Sequence, residues 1–275
     1  MNFDVIALGE LLIDFTQNGF GEYGNPIFQA NAGGAPCNVL AMLNNLDRKT
    51  SFTGVVGSDE FGNFLINTLN KIGIDTSHLY THKTVNTTIA FVHTLADGDR
   101  DFSFYRNPGA DIMLEKTQID ENYIKSAKVF HFGTLSMTDE NIRETTCYAL
   151  DLAKKAGCLI SFDPNLRPAL WKSLDNTKEQ IKYGLSSCDI AKISDNEVKF
   201  ITDCNDIVEG GRILHEKYPN IKLLTVTLGK DGSIAFYKDF EVFAPAFIQK
   251  NTVETTGAGD TFCACILHNV LEYGI

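Results

Sequence analysis

The sequence predicts an α/β fold whose doubly wound, mostly parallel sheet is flanked by helices, with a small second β-sheet beside it. Short β-rich runs alternate with longer helical patterns along most of the 275 residues, which is typical of parallel α/β sheets. Residues 88–95 and 101–105 break this alternation, because these two β-rich runs flank a short polar segment at 96–100. That arrangement predicts a β-hairpin rather than a helical crossover between parallel strands.

Six apolar runs are predicted as strands of the main sheet, and their continuous hydrophobicity is typical of strands that are buried on both faces. They span residues 5–8, 51–56, 128–132, 158–162, 189–193 and 222–228. Helices are predicted between or after them, at residues 35–46, 60–72, 139–156, 177–186, 206–218 and 257–271. Gly73 and Gly157 follow last turns that contain lysine and are predicted to cap two of these helices.

The small sheet is predicted to be discontinuous along the chain. Residues 11–16 and 26–29 are two further β-rich runs, and together with the hairpin they place this sheet at about residues 11–30 and 86–111. The chain contains no linker, low-complexity tract or internal repeat. We therefore expect a single core domain over residues 1–275 with the small sheet as an appendage.

The composition argues against two classes of partner. A formal net charge of −11 and a pI near 5.0 disfavour binding to nucleic acid or to an anionic membrane surface.

No apolar run reaches spanning length, and the chain begins with a strand-like segment instead of a secretory signal. Seven cysteines without a C-x-x-C pair suit a reducing compartment, so we expect a cytoplasmic protein.

The most informative motif is the run Thr-Gly-Ala-Gly-Asp at 256–260, which leads into an apolar helical stretch. Gly257 and Gly259 allow the backbone to approach a ligand closely, and a helix N-terminus favours a bound phosphate. Asp260 in the first helical turn is then a candidate general base. Taken alone, the motif is equally consistent with a tight helix entry in which Asp260 complements the helix dipole.

Two signatures and four ordered blocks stand out along the chain. The signatures are residues 31–38 with 54–62, and residues 253–260, and the blocks are residues 7–15, 101–111, 130–135 and 162–171. Together they resemble the ribokinase-like sugar kinases of the PfkB family, and within it the fructokinases. The resemblance implies a ribokinase-like fold in which the small sheet is a lid over the sugar. It also implies ATP-dependent phosphorylation of a ketohexose, with fructose to fructose 6-phosphate as the favoured reaction.

The resemblance implies roles at both ends of the chain. The sugar would be bound by Asp14, Gly33, Gly34 and Asn38. The proton of the attacking hydroxyl would pass to Asp260, while Mg²⁺ and the backbone amides of Gly257, Ala258 and Gly259 stabilise charge on the γ-phosphoryl group. Without the family pattern, Asp14 is a solvated acid at a strand end, the Gly33-Gly34 pair is a turn, and Asn38 is a helix-surface residue.

Two arginines stand out in this acidic chain. Arg106 and Arg167 are candidates to bind substrate oxygens, because a planar guanidinium group binds oxyanions in a forked geometry. A structural ion pair with a nearby aspartate such as Asp101, Asp111 or Asp163 is the alternative.

The nucleotide is expected to contact residues at the ends of three predicted strands, where ligands of open α/β sheets bind. The candidates are Asn165, Lys192, Thr227, Gly229 and Gly232.

Glu197 is a candidate for the metal, since the segment from Ser194 to Glu197 resembles the family's N-x-x-E segment with Ser in place of Asn. It is equally a capping box that begins a helix. The chain has no G-x-x-x-x-G-K-[ST] motif, which excludes a Walker-type site.

Two alternatives to fructose phosphorylation stay open. A 2-keto-3-deoxygluconate kinase is the nearest rival, because Arg106 and Arg167 would suit the carboxylate of a sugar acid. A sugar- or nucleotide-binding protein without turnover is the other alternative. It is suggested by the chain ending at Ile275, where relatives continue with helices that cover the adenine, so we expect those C-terminal helices to be missing here.

Further expectations follow from the resemblance. Glu254 replaces the family's usual Asp, which keeps a carboxylate beside a site for a monovalent cation such as K⁺. Dimerisation through the lid is the expected mode of self-association.

Overall fold

The computed structural model describes residues 3–94, 100–247 and 255–275. In chain order, its strands are β1 (Phe3–Leu8), β2 (Leu12–Phe20), β3 (Pro26–Gly33), β4 (Thr50–Gly57), β5 (Asp75–His82), β6 (Ile89–Thr94), β7 (Arg100–Tyr105), β8 (Ala127–Gly133), β9 (Leu159–Asp163), β10 (Ile190–Ser194), β11 (Leu223–Thr227), β12 (Ser233–Tyr237) and β13 (Phe240–Ala244). Its helices are α1 (Ala35–Asn45), α2 (Glu60–Ile72), α3 (Glu121–Ile124), α4 (Glu140–Lys155), α5 (Leu174–Ser187), α6 (Asp195–Thr202), α7 (Ile207–Lys217) and α8 (Ala258–Tyr273).

The main sheet has the order β13-β12-β11-β10-β9-β8-β1-β4-β5 within the described part of the chain. The seven strands from β11 to β5 run parallel, and β12 and β13 add an antiparallel edge. The predicted mostly parallel α/β fold is confirmed, and all six predicted strands of the main sheet are present.

Helices cover both faces of this sheet because the central strands are apolar on both sides. On β1, Val5 and Ala7 face a cluster that includes residues of α1, α2 and α8. Ile6 and Leu8 on the same strand face a second cluster that includes residues of α4, α5, α6 and α7. The doubly wound arrangement therefore follows from the alternation of adjacent side chains along a strand.

The second sheet has the order β3-β2-β6-β7. The parallel pairing of β2 with β6 joins its two separated chain segments, and β6 pairs antiparallel with β7 as the hairpin pattern predicts. The turn itself, at residues 95–99, lies outside the described residues. That this sheet closes over a ligand, and that residues 1–275 form a single core domain, stay predictions.

Local sequence signals explain several helix ends. Gly73 has a φ of 98° and its N–H donates to the carbonyls of Leu69 and Asn70, as expected for a glycine cap. At the end of α4, Ala156 occupies the cap position, and the predicted cap Gly157 follows it with a φ of 79°.

Among the described residues, no helix has both the length and the hydrophobicity needed to span a membrane.

Candidate active site

A cavity of about 490 Å³ lies between the C-terminal ends of the parallel strands and the small sheet. Segments that are far apart in sequence line this cavity, from the β1–β2 connection to the start of α8. Its lining residues are Glu10, Leu12, Asp14, Gly34, Ala35, Asn38, Phe102, Phe104, Leu135, Asn165, Leu166, Arg167, Lys192, Ser194, Glu197, Thr255, Thr256, Gly257, Gly259 and Asp260. A larger cavity of about 740 Å³ between α7 and the β12–β13 hairpin contains none of the predicted site residues.

Asp260 is held at the base of this cavity by two amides. The Asn38 Nδ2 donates to Oδ2 at 2.8 Å, and the Asn165 Nδ2 donates to Oδ1 at 3.3 Å. Asp260 lies in the first turn of α8, after Gly257 with a φ of 74°. Burial raises the pKa of the Asp260 carboxyl above its ordinary value, while the hydrogen bond from Asn38 and the nearby cations oppose that shift. The result is an oriented carboxylate of increased basicity.

A buried cation lies beneath the glycine-rich turn. The Lys192 Nζ is 3.1 Å from Asp163 Oδ2, and a Cβ on Gly259 would be 3.1 Å from this same ammonium. Burial opposes the charge, but Asp163 and Glu197 raise the pKa of Lys192 above its usual value. Lys192 therefore stays protonated next to the exposed backbone of the turn. The arrangement offers positive charge to an anion, and the predicted phosphate contact of Lys192 stays a prediction.

Glu197 is fully engaged in protein hydrogen bonds. Its Oε1 accepts from the Leu166 N–H at 2.7 Å, and its Oε2 accepts from the N–H and hydroxyl of Ser194 at 2.7 and 2.8 Å. The capping box at the start of α6 is thus complete. In the described residues, no group of three or more His, Cys, Asp or Glu side chains is placed to hold a metal ion. A metal role for Glu197 stays a prediction and would have to act through water.

Two glycines shape the wall near Asp14. A Cβ on Gly33 would collide with the carboxylate of Asp14, which lies diagonally across the β2–β3 pair. Gly34 has a φ of 119°, and a Cβ there would collide with the main-chain carbonyl of Glu10. Both positions therefore require glycine, one for space and the other also for its left-handed backbone. Asp14, Gly34 and Asn38 all line the cavity, as predicted for residues that bind one ligand.

The two candidate arginines have different surroundings. Arg106 does not line the cavity, because its guanidinium is buried in an ion pair with Asp111. Its Nη1 and Nη2 also donate to the Thr138 Oγ1 and the Leu135 carbonyl, at 2.8 and 2.9 Å. These contacts fit the ion-pair alternative, and direct binding of substrate by Arg106 stays a prediction. Arg167 does line the cavity, with its guanidinium carbon 5.4 Å from the ring centre of Phe102.

Other predicted residues lie at the same edge of the sheet without lining the cavity. Thr227 ends β11, and Gly229 and Gly232 flank the turn that leads to β12, with φ values of 57° and 121°. Ala258, whose backbone was expected to face the phosphate, begins α8. Their nucleotide roles stay predictions. Glu254 lies outside the described residues, as do the side chains of residues 93–101 including Asp101.

Sequence reasoning missed Glu10. This residue follows β1 at the C-terminal edge of the sheet, is buried, and lines the cavity. Its Oε1 accepts a hydrogen bond from the Ala35 N–H at 2.9 Å. Burial raises the pKa of its carboxyl to about 7. The signal that would have identified it is the one used for Asn165, a polar side chain just past the end of a buried parallel strand.

Comparisons with known proteins give the family of the chain and relatives of the same fold. A family model described as pfkB family carbohydrate kinase matches residues 2–274. Fructokinase-2 from Solanum lycopersicum is 41% identical over 270 residues, which are 98% of this chain and 82% of the relative. The crystal structure of a fructokinase with bound ATP from Xylella fastidiosa has 30% identity and a TM-score of 0.88, covering 98% of this chain and 82% of that one.

A second solved structure resembles the chain equally well in fold. It is a fructokinase from Vibrio cholerae O395 in a fructose, ADP and calcium ion bound form, with 28% identity and a TM-score of 0.88. The match covers 98% of this chain and 84% of that one.

Proposed function

The chain belongs to the pfkB family of carbohydrate kinases, and we propose that it transfers the γ-phosphoryl group of ATP to fructose, giving fructose 6-phosphate and ADP. The observation that carries this proposal is the position of Asp260. Its carboxylate is oriented by Asn38 and Asn165 in the cavity that Asp14 also lines. A base beside a glycine-rich helix N-terminus suits in-line phosphoryl transfer to a hydroxyl group.

The proposed mechanism assigns the proton to Asp260. Its carboxylate takes the proton of the attacking sugar hydroxyl, the hydroxyl oxygen bonds to the γ-phosphorus, and the bond from that phosphorus to the ADP oxygen breaks. The ammonium of Lys192 and the amides of the turn from Gly257 to Gly259 stabilise the negative charge on the transferring group. Asp14 and Asn38 hold the sugar through its other hydroxyls.

The proposed ligands are fructose and Mg·ATP in the cytoplasm. Mg²⁺ commonly enters such sites on the phosphates of its nucleotide with few protein ligands, which suits a Glu197 already engaged by Leu166 and Ser194. When bound, the ion neutralises phosphate charge. A monovalent cation near Glu254 remains part of the proposal.

The arrangement of the arginines favours a neutral sugar over a sugar acid. A two-arginine clamp for a carboxylate would need both Arg106 and Arg167 in the cavity, whereas Arg106 is paired with Asp111 and donates to Thr138. Breaking a buried ion pair is costly because it leaves an uncompensated charge. The guanidinium of Arg167, which lines the cavity, is by itself adequate for a phosphate oxygen or a hydroxyl.

Exposed apolar side chains of the small sheet support the proposed homodimer. Phe20, Ile27 and Tyr105 on its strands and Tyr23 in the β2–β3 turn are exposed. Several exposed apolar groups on one sheet suit association with a second copy. Light scattering of the wild type and of the Phe20→Lys, Tyr23→Lys variant tests this, since a monomer in the wild type would refute the dimer.

A coupled assay of ADP release with a panel of sugars tests the proposed reaction. With Mg·ATP and K⁺ present, fructose should give the largest kcat/KM, and 2-keto-3-deoxygluconate should give little turnover. Faster turnover with the sugar acid would favour the rival kinase. Binding of fructose and ATP without ADP release would indicate a binding protein.

A further inference from the structure

We infer that Glu10 is a positioning residue for the sugar end of the site, an inference that rests on the proposed function. Its carboxylate caps α1 from a different chain segment. Gly34, at the N-cap of α1, has no side chain to accept a hydrogen bond, and Pro36 has no N–H to donate. The first amide of the helix, that of Ala35, donates to Glu10 Oε1 instead.

The cap is linked to the proposed base through one turn of helix. The Asn38 N–H donates to the Gly34 carbonyl at 3.0 Å, and the Asn38 side chain donates to Asp260 at 2.8 Å. The main chain of Glu10 also packs so closely against Gly34 that no Cβ fits between them. Glu10 therefore fixes the start of α1, which in turn fixes the amide that orients Asp260.

The charge on Glu10 has a specific environment. Asp111 opposes it and Arg106 favours it across the buried network behind the cavity, while the Cys37 thiol faces it from α1. Since burial raises the pKa of Glu10 to about 7, the carboxyl passes from largely neutral to largely ionised between pH 6 and pH 8. The ionised form accepts more strongly from Ala35 and complements the positive end of α1.

This ionisation costs stability. A carboxyl whose pKa is higher in the folded than in the unfolded state binds protons more tightly when folded, so stability falls as the pH rises from about 4.5 to about 7. If Glu10 served only to stabilise the fold, a neutral side chain at this position would be more favourable, because it would avoid the cost of burying a charge. A charge that lowers stability while it holds a cavity wall is typical of a functional position.

The test compares Glu10→Gln with Glu140→Gln, which alters an exposed glutamate in the first turn of α4. At pH 8, Glu10→Gln should weaken fructose binding by about tenfold and lower kcat severalfold, with ADP affinity within twofold of the wild type, the pattern of a lost positioning contact. The wild type should lose fructose affinity between pH 8 and pH 6, whereas Glu10→Gln should vary little. Glu140→Gln should match the wild type throughout. Unchanged fructose binding in Glu10→Gln, or equal losses for both ligands with a lower Tm, would overturn the inference.

A measurement without ligand separates this inference from the proposed function. The Ala35 amide should be protected from hydrogen exchange in the wild type and lose protection in Glu10→Ala, which has no side-chain acceptor, whichever sugar is the substrate. If Glu10→Ala does not fold, the NMR shift of the wild-type Ala35 amide should titrate with an apparent pKa of about 7. An amide shift that is constant from pH 6 to pH 8 would overturn the cap, whereas absent ADP release alone would refute only the kinase assignment.

Discussion

At the scale of single residues, neutral amides hold the proposed base in place. Asn38 and Asn165 donate to different oxygens of Asp260, so the carboxylate is oriented without a directly bonded cation that would reduce its basicity. The buried cation Lys192 is instead paired with Asp163. This separation leaves Asp260 able to accept a proton while Lys192 retains its own.

Asp260→Asn should reduce kcat by about 10² or more, the usual loss when a general base is removed. The change preserves the shape of the side chain, so fructose affinity should remain close to that of the wild type. Steady-state kinetics and calorimetry would measure the two effects separately. Asp175→Asn, in the exposed first turn of α5, is the matched control, and a near-normal kcat for Asp260→Asn would refute the assignment.

The pH dependence of kcat should report the environment of Asp260. The base must be ionised to accept a proton, and burial raises its pKa, so kcat should fall on the acid side at a higher pH than for an ordinary aspartate. The hydrogen bond from Asn38 lowers this pKa. Asn38→Leu should therefore shift the acid limb to higher pH at saturating fructose. A shift to lower pH would contradict this account of Asp260.

The residues of the site differ in how far the sequence could predict them. Gly257, Gly259 and Asp260 are neighbours in one turn, so their local pattern already indicated a phosphate site. The contact between Asn38 and Asp260 spans 222 positions and could be expected only from the family resemblance. For Arg106 the sequence left a ligand contact and an ion pair open, because a sequence does not show which partner an arginine meets.

At the scale of secondary-structure elements, predictability follows burial. The six strands found in advance are continuous apolar runs, whereas β5, β12 and β13 were missed. β5 and β13 are the edge strands of the main sheet, and β12 lies beside β13. In β5, polar residues interrupt the apolar pattern, whereas β12 and β13 are short strands of five residues each. The order of the strands within the sheet could not be predicted from the sequence either, because it depends on how successive crossover connections pack.

The pairing of β2 with β3 gives a test at this scale. Gly33→Ala should displace the carboxylate of Asp14, which a Cβ at residue 33 would contact. Fructose affinity should fall by about tenfold, with a loss of about 1 kcal/mol in stability, as is common for a local steric change. Calorimetry with fructose and thermal unfolding would measure both. Gly21→Ala, where the nearest atom to a new Cβ is 3.7 Å away, should change neither.

At the scale of the whole molecule, the net charge of −11 opposes the approach of an anionic nucleotide. Added salt screens this long-range repulsion more than it screens contacts inside the cavity. Raising the ionic strength from about 10 to about 150 mM at constant K⁺ should therefore lower the KM for Mg·ATP. Fructose is neutral, so its KM is the internal control. A KM for ATP that rises with salt would show that local attraction dominates.

The packing of α1 against α8 also determines when the site forms during folding. Asn38 and Asp260 come together only after more than two hundred intervening residues have been arranged, and the small sheet likewise waits for β6 to reach β2. Contacts so distant in sequence incur a large loop-closure entropy and form slowly. The catalytic geometry should therefore be among the last features to appear on refolding, so recovery of the far-ultraviolet circular dichroism signal should precede recovery of activity.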